Sequence, residues 1–235
     1  MIKEELIRRS PIRLFEQSIQ GGLKLGEIGI VASQRGVGKT SVLVQLALDK
    51  LLQGKKVIHV SFAQQRQNVF AWYEDIFEEF ASSKNLEDKD DVKNEIAKNR
   101  VLMNFNQGGT TLDMVIKSLR AMISEGGFAA DTLVVDGFDF SRVHRDHISK
   151  VKEFIAKDMG LSIWCNCTVN GDEPRYDENN IPVLVKDFAD LIDVVIVLEP
   201  KQDHVELSVS KNRNTPSSEN PATRLDPKTL LILEG

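Results

Sequence analysis

The chain has 235 residues, of which 41% are hydrophobic, and its formal net charge is −5. This length suits one domain, residues 1–235, with a substantial core, and the negative charge excludes a global positive field that would attract nucleic acid or an anionic membrane. No apolar N-terminal stretch is typical of a signal peptide, and no run of about 18 apolar residues could span a bilayer. We therefore expect a cytoplasmic protein without a membrane partner.

Strand and helix patterns alternate along most of the chain. The predicted strands are residues 28–32, 57–62, 101–105, 132–136 and 161–167, and the predicted helices are residues 41–52, 68–81, 112–124 and 147–158. This alternation favours a mostly parallel central sheet with helices on both faces. Three later strand patterns, residues 194–198, 204–210 and 230–233, predict antiparallel strands at the sheet edge. The predicted fold class is therefore α/β.

Residues 85–98 are rich in charge, and their acidic and basic residues lie around the apolar Val92 and Ile96. This pattern is compatible with a solvated helix or with a mobile excursion from the fold. The two cysteines, Cys165 and Cys167, lie two positions apart in an apolar run, so a strand would place both thiols on one face. Their spacing is too short for an ordinary disulfide, and we expect buried free thiols.

The segment between the first predicted strand and helix has the composition of a phosphate-binding loop. A polyphosphate needs converging backbone N–H groups, the positive end of a helix dipole and a cation. Gly36 and Gly38 would supply the loop conformations, Lys39 would contact the β- and γ-phosphates of ATP, and the Thr40 hydroxyl would join the shell of Mg²⁺. The residues predicted to bind nucleotide are Ser33, Gln34, Arg35, Gly36, Val37, Gly38, Lys39, Thr40 and Ser41. Ser33 departs from the pattern G-x-x-x-x-G-K-[ST], which has glycine at that position.

A second part of the site is predicted at the end of the fourth strand, where three apolar residues precede Asp136. A buried strand that ends in a carboxylate would deliver it close to the Mg²⁺ held by Thr40, usually through water. The alternative is an ordinary aspartate at a strand end. The position downstream of a phosphate loop favours the metal-binding interpretation.

Residues 21–62, 101–140 and 195–214 together resemble the RecA-like P-loop ATPases, in particular the KaiC family and the motor domain of DnaB-type replicative helicases. The resemblance rests on GGLKLGE before the first strand, on SQRGVGKTS, on NQGG before a helix and LVVD, and on SKNRN near the C-terminus. It implies an ATP- and Mg²⁺-binding domain of RecA-like fold. It also implies assembly into a ring or filament with sites shared between subunits.

The resemblance implies three further catalytic residues. Lys211 and Arg213 match residues that contact the γ-phosphate of the neighbouring subunit, and as i and i+2 at a strand end they would lie on one face. The alternative is that an exposed strand end carries two cations. Asn166, with Thr168 as second choice, matches a polar residue that senses the γ-phosphate, and the alternative is a side chain that satisfies nearby backbone.

Two departures from the family bear on activity. A catalytic glutamate is expected just after the second strand, but Ala63 and Gln64 stand there, and Gly137 follows Asp136. Gln64 could orient a water molecule but could not accept its proton. General-base assistance is worth about 10² to 10⁴ in rate, so hydrolysis should be slow unless Glu74, Asp75 or Asp139 substitutes.

The second departure concerns DNA binding. Residues 170–187 contain five acidic and two basic residues where helicases carry basic loops. This segment would repel a phosphate backbone, so we do not expect DNA unwinding. The leading hypothesis is an ATP-binding protein with weak or absent ATPase activity that serves as a regulatory or scaffold subunit for a partner that the sequence does not name. The alternative is an ATP-hydrolysing accessory protein of DNA recombination or repair. A GTPase or small-molecule kinase is disfavoured, since the guanine-reading pattern N-K-x-D does not occur.

Overall fold

The computed structural model describes residue 7 and residues 10–62, 66–170, 175–214 and 223–234. Nine strands in these residues form one sheet: β1 (Ile28–Ser33), β2 (Val57–Ser61), β3 (Arg100–Asn104), β4 (Thr132–Asp136), β5 (Ser162–Thr168), β6 (Val194–Pro200), β7 (Val205–Asn212), β8 (Thr223–Leu225) and β9 (Ile232–Glu234). Their order across the sheet is β3-β2-β4-β5-β1-β6-β7-β8-β9. The strands from β3 to β6 pair in parallel and the last three are antiparallel. The predicted α/β architecture is confirmed. The prediction that residues 194–198 form an antiparallel strand at the sheet edge is wrong, because β6 lies between β1 and β7 and pairs in parallel with β1.

Helices cover both faces of the sheet, as a parallel sheet requires. They are α1 (Pro11–Ser18), α2 (Lys39–Leu52), α3 (Arg66–Ser83), α4 (Lys89–Lys98), α5 (Leu112–Arg120) and α6 (Arg145–Glu153). The first four enclose a core with Phe15, Leu43 and Phe77 against one face. The last two, with the 3₁₀ segment Val183–Leu191, enclose a core with Phe140 and Phe188 against the other. No helix among the residues listed above as described is long and apolar enough to cross a lipid bilayer.

The charged segment at residues 85–98 contains a helix, which decides between the two interpretations of its sequence. Val92 and Ile96 of α4 are buried in the first core. Ion pairs from Lys93 to Glu74 and from Lys89 to Glu78 join α4 to α3. The two apolar residues, four positions apart, therefore anchor a helix whose other faces are solvated.

Helix α1 and strand β8 were not expected from the sequence. Helix α1 has only eight residues and begins with a proline, which suits the first turn of a helix. Ile12 and Phe15 of the helix and Ile19 directly after it follow at spacings of three and four, and all three are buried. That spacing is typical of a helix, but the segment is too short for the pattern alone to distinguish a helix from a loop.

The two cysteines lie on β5 and are free and buried, as predicted. Cys165 and Cys167 both face the second core. Burial raises the pKa of each thiol to about 12. Both side chains are therefore protonated at neutral pH and act as small apolar groups in the packing.

Candidate functional site

The loop between β1 and α2 lies at the centre of the carboxyl edge of the parallel strands. Strand β1 is fully buried and is flanked by β5 and β6. Gly36 and Gly38 have φ angles of +83° and +116°, which favour glycine. A Cβ atom on Gly38 would lie 2.5 Å from Cδ2 of Leu225 in β8, so this position also lacks space. No described side chain caps α2, and its first N–H groups are left for an anion.

Lys39, the first residue of α2, turns its ammonium group back into this loop. Its Nζ donates hydrogen bonds to the carbonyl oxygens of Ser33 and Gln34, at 3.0 and 2.7 Å, and to the Ser33 hydroxyl at 3.3 Å. Burial lowers the pKa of Lys39 to about 8, although Cys167 and Asp136 act in the opposite direction. A phosphate group beside this ammonium would favour its charged form.

Asp136 lies next to Thr40, as the metal-binding prediction requires. The Thr40 hydroxyl donates to the two carboxylate oxygens of Asp136 at 3.2 and 3.3 Å. Burial raises the pKa of Asp136, and hydrogen bonds from Thr40, Asn166 and the Gly137 amide oppose this shift. In the described ranges, no group of three or more His, Cys, Asp or Glu side chains could hold a metal ion. Thr40 and Asp136 therefore suit an ion that brings other ligands with it, as Mg²⁺ does when bound to phosphates.

Asn166 forms hydrogen bonds with both Asp136 and Gly137, the residue that follows Asp136. Its amide nitrogen donates to Oδ1 of Asp136, and its Oδ1 accepts the backbone N–H of Gly137 at 2.9 Å. The pairing of β4 with β5, which sets Val135 opposite Cys165, brings these residues together. Asn166 thus satisfies a backbone group and also orients the carboxylate. Thr168, the second choice from the sequence, pairs with Ser33 at the start of the loop.

Lys211 and Arg213 are not part of this cluster. Because β7 is antiparallel, its last residue, Asn212, pairs with Val194 at the start of β6. That end of β7 lies at the amino edge of the parallel strands, opposite to the phosphate loop. A role at the site of a neighbouring subunit is still a prediction for both residues, but neither contributes to the site of its own chain.

The expectation that Lys211 and Arg213 share one face of a strand is wrong. A bulge shifts the register between β6 and β7 next to Val195, and Arg213 adopts a φ of +56°. Lys211 consequently donates to the carbonyls of Ala189 and Ile192 on the side of the second core. Arg213 turns toward the loop that follows α1, on the other side.

Arg213 is held by its own chain through all five of its N–H groups. Its Nε and one terminal nitrogen each donate to Glu27 at 2.7 Å, and its other bonds go to Ile19 O, Gly22 O and Asn212 Oδ1 at 2.8 to 2.9 Å. The side chains of Arg213 and Glu27 are each 15% exposed. This Arg213 clamp ties the segment before β1 to the end of β7.

The residues proposed to activate water are only partly described. Gln64 and Ala63 lie outside the described residues. Glu74 forms an ion pair with Lys93 of α4. Asp139 lies shortly after β4 at the carboxyl edge, where it accepts bonds from Ser141 N and Oγ at 3.0 and 2.6 Å.

The packing of the C-terminal strands beside the phosphate loop was not predicted from the sequence. The carbonyl of Leu230 accepts hydrogen bonds from Ser41 at 2.6 Å and from Gln45 at 2.8 Å, and the Ile232 amide donates to Gln45 at 2.8 Å. Gln45 is the one available signal, because it is a polar residue in the apolar run of α2. Its amide group needs a buried partner, which the turn before β9 supplies.

Replacement of Arg213 by alanine should destabilise the fold even when no nucleotide is present. The change leaves Glu27 buried without its partner, and we expect the free energy of unfolding to fall by about 3 kcal/mol. Urea denaturation of dilute, nucleotide-free protein measures this, with Lys157→Ala, at a side chain 73% exposed, as the control. Equal stability of the two variants would show that the Arg213 clamp contributes little.

Comparison with known families agrees with the geometry of the loop and of Asp136. The family model AAA_25, described as an AAA domain, matches residues 7–160, which is more than half of the chain. These residues include β1 to β4 and therefore the phosphate loop and Asp136. A search of curated proteins found no match. The chain belongs to the AAA_25 family and is a nucleotide-binding domain of the P-loop ATPase type.

Proposed function

We propose that this protein binds ATP with Mg²⁺ at residues 33–41, hydrolyses it slowly or not at all, and acts as a nucleotide-responsive regulatory or scaffold subunit. The observation that carries the proposal is the meeting of Lys39, Thr40, Asp136 and Asn166 beside the uncapped start of α2. These groups supply the cation, the backbone donors and the metal-binding oxygens that a triphosphate needs.

Each part of the nucleotide has residues that suit it. The backbone amides at the start of α2 and the Lys39 ammonium would bind the phosphates, while Thr40 and Asp136 would hold Mg²⁺, which neutralises phosphate charge. A cleft of about 430 Å³ lies between α3 and the turn before β9 and is lined by Trp72 and Leu230, among others. Because the Leu230 carbonyl binds Ser41, next to Thr40, we assign the nucleoside to this cleft.

Slow hydrolysis follows from the lack of a free carboxylate in the positions that the family uses. The chain has neither a glutamate after β2 nor one after Asp136. Hydrogen bonds to Ser141 hold the pKa of Asp139 below its usual value, which makes it a weak base. Binding of the nucleotide needs none of these groups, so a binding protein with little turnover is the outcome that the site favours.

Loss of Lys39 should abolish most of the affinity for ATP. Hydrogen bonds to charged groups contribute about 1.5–3 kcal/mol, so Lys39→Ala should weaken binding of Mg-ATP by about 10- to 150-fold. Isothermal titration calorimetry measures the dissociation constant. Lys55→Ala, at an exposed lysine beyond the other end of α2, is the matched control. Unchanged affinity in Lys39→Ala would remove the basis of the proposal.

The affinity for ATP should fall as the pH rises above about 8. Below that pH the Lys39 ammonium is charged in the free protein, whose Lys39 pKa is about 8. Above it, binding must first return a proton to Lys39, and affinity should fall by up to about tenfold per pH unit. Calorimetry in two buffers of different ionisation enthalpy should show proton uptake just above pH 8. Binding without proton uptake and with constant affinity there would contradict this assignment.

Turnover of ATP should be well below about 1 s⁻¹, since the sequence has no glutamate directly after β2 or after Asp136. A phosphate-release assay with the full chain measures it, and Asp139→Asn should leave the low rate unchanged. Turnover near or above 1 s⁻¹ would contradict the low-activity proposal. Stimulation by single-stranded DNA at low salt would favour the alternative, a DNA recombination or repair accessory ATPase.

Assembly into a ring or filament stays a proposal that depends on Lys211 and Arg213. In the protomer, all five N–H groups of Arg213 donate hydrogen bonds to its own chain. A contact with the nucleotide of a neighbouring subunit would therefore require the clamp to open. Lys211, which binds two carbonyls and is not paired with Glu27, would be released more easily.

A further inference from the structure

The second core contains a cavity that its side chains do not fill. This cavity has a volume of about 90 Å³ and lies between the sheet and the helices α5 and α6. Its walls are mostly apolar and include Val60, Leu133, Val115 and Phe154. Protein interiors are otherwise close-packed, and an apolar cavity of this kind offers few partners to water and tends to bind apolar molecules.

The cavity lies directly behind a cleft of about 330 Å³ at the carboxyl edge of the sheet. Five residues line both spaces: Phe62, Thr110, Thr111, Leu112 and Phe138. Unlike the cavity, the cleft has a polar rim, which includes Gln107, Asp139, Arg142 and His147. The volume of the cleft lies at the lower end of the range for small-molecule sites. Together the two spaces suit a small molecule with an apolar body and a polar head.

Both helices beside the cavity end in wide, π-helical turns. Helix α5 continues as Ala121–Glu125 and α6 as Phe154–Met159. Phe154 and Ile155, which open the second of these segments, line the cavity. A wide turn interrupts the regular spacing of side chains along a helix, and such turns often occur at functional sites. The geometry of the helices is thus consistent with a space that is built into the fold.

The charges at the rim favour a head with a single negative charge. The Arg142 side chain is 78% exposed, and its Nε lies 3.3 Å from a carboxylate oxygen of Asp139. The Nδ1 atom of His147 accepts the His144 amide, so a neutral His147 ring carries its proton on Nε2, which can donate. Asp139 offsets part of the Arg142 charge and would repel a doubly charged phosphate more strongly than a singly charged carboxylate, which can use the terminal nitrogens of Arg142.

We propose that the cleft and the cavity form a binding site for a small monocarboxylate, whose apolar or aromatic body enters the cavity and whose carboxylate lies at Arg142 and His147. Nothing in the proposed ATP site uses these residues.

Hydrogen bonds connect this carboxylate site to Asp136. Gln107, at the rim, donates to the carbonyl of Gly137. The Gly137 amide donates to Asn166, and Asn166 donates to Asp136, which faces Thr40. An occupant that displaces Gln107 would therefore alter the surroundings of the proposed Mg²⁺ site. This second part of the inference rests on the proposed function.

Titration calorimetry of the full chain with benzoate tests the site. We expect saturable binding that is at least tenfold weaker in two variants. Arg142→Ala removes the cation, and Val115→Phe fills the cavity. Because Val115 is buried, Thr110→Trp at the partly exposed mouth provides an independent block. Lys117→Ala, at an exposed lysine of α5, should bind like the unaltered protein. Toluene should bind more weakly than benzoate, and its affinity should not depend on Arg142.

Absence of binding up to about 10 mM benzoate, or binding that is insensitive to Arg142→Ala and Thr110→Trp, would overturn the carboxylate site.

The connection between the two sites has its own test. Saturating benzoate should change the dissociation constant of Mg-ATP by about fivefold or more, and ATP should change that of benzoate by the same factor. Independent binding of the two ligands would overturn the connection alone. Failure to bind ATP at all would refute the proposed function but not the benzoate result, which is obtained without nucleotide.

Discussion

The arrangement of the site depends on how one buried carboxylate is satisfied. Asp136 ends a fully buried strand, and burial raises its pKa. Thr40 and Asn166, its two side-chain partners, lie on different elements, at the start of α2 and on β5. A buried carboxylate is stable only if such donors or a cation reach it. The order β4-β5-β1 brings these donors within hydrogen-bond distance, and the same order places the phosphate loop beside them.

The amino edge of the sheet is organised around a different charge. The Arg213 clamp joins Glu27, the loop after α1 and the end of β7, and it leaves the guanidinium without an unused donor. In RecA-like ATPases, which the chain resembles, an arginine at the matching position acts on a neighbouring nucleotide. Here the same residue type has a structural role in the protomer. The engaged Arg213 and the lack of a glutamate directly after β2 or after Asp136 both agree with the slow hydrolysis that we propose.

The proposed regulatory function requires that the nucleotide state affect another surface of the protein. The polar rim at Gln107 and Arg142 lies on the far side of Gly137 from Asp136, and hydrogen bonds connect the two sides. The connection uses the side chains of Gln107, Asn166 and Asp136 and the backbone N–H and C=O groups of Gly137. The unfilled cavity lies behind this rim.

The sequence by itself located β1 to β5 to within one residue of their bounds and predicted the buried thiols, because hydrophobic periodicity is a local property. It wrongly counted β6 among the antiparallel edge strands, although β6 pairs in parallel with β1. The apolar run before Asp136 also pointed to that carboxylate, and the resemblance to RecA-like ATPases pointed to Asn166. Only the tertiary structure showed that the side chains of Lys211 and Arg213 lie on opposite sides of the sheet. A bulge and one positive φ angle interrupt the two-residue alternation of side chains along the strand. The docking of Leu230 on Gln45 and the cavity beneath α5 were likewise decided in three dimensions. Contacts between distant segments depend on the register and packing of whole elements, which no local pattern records.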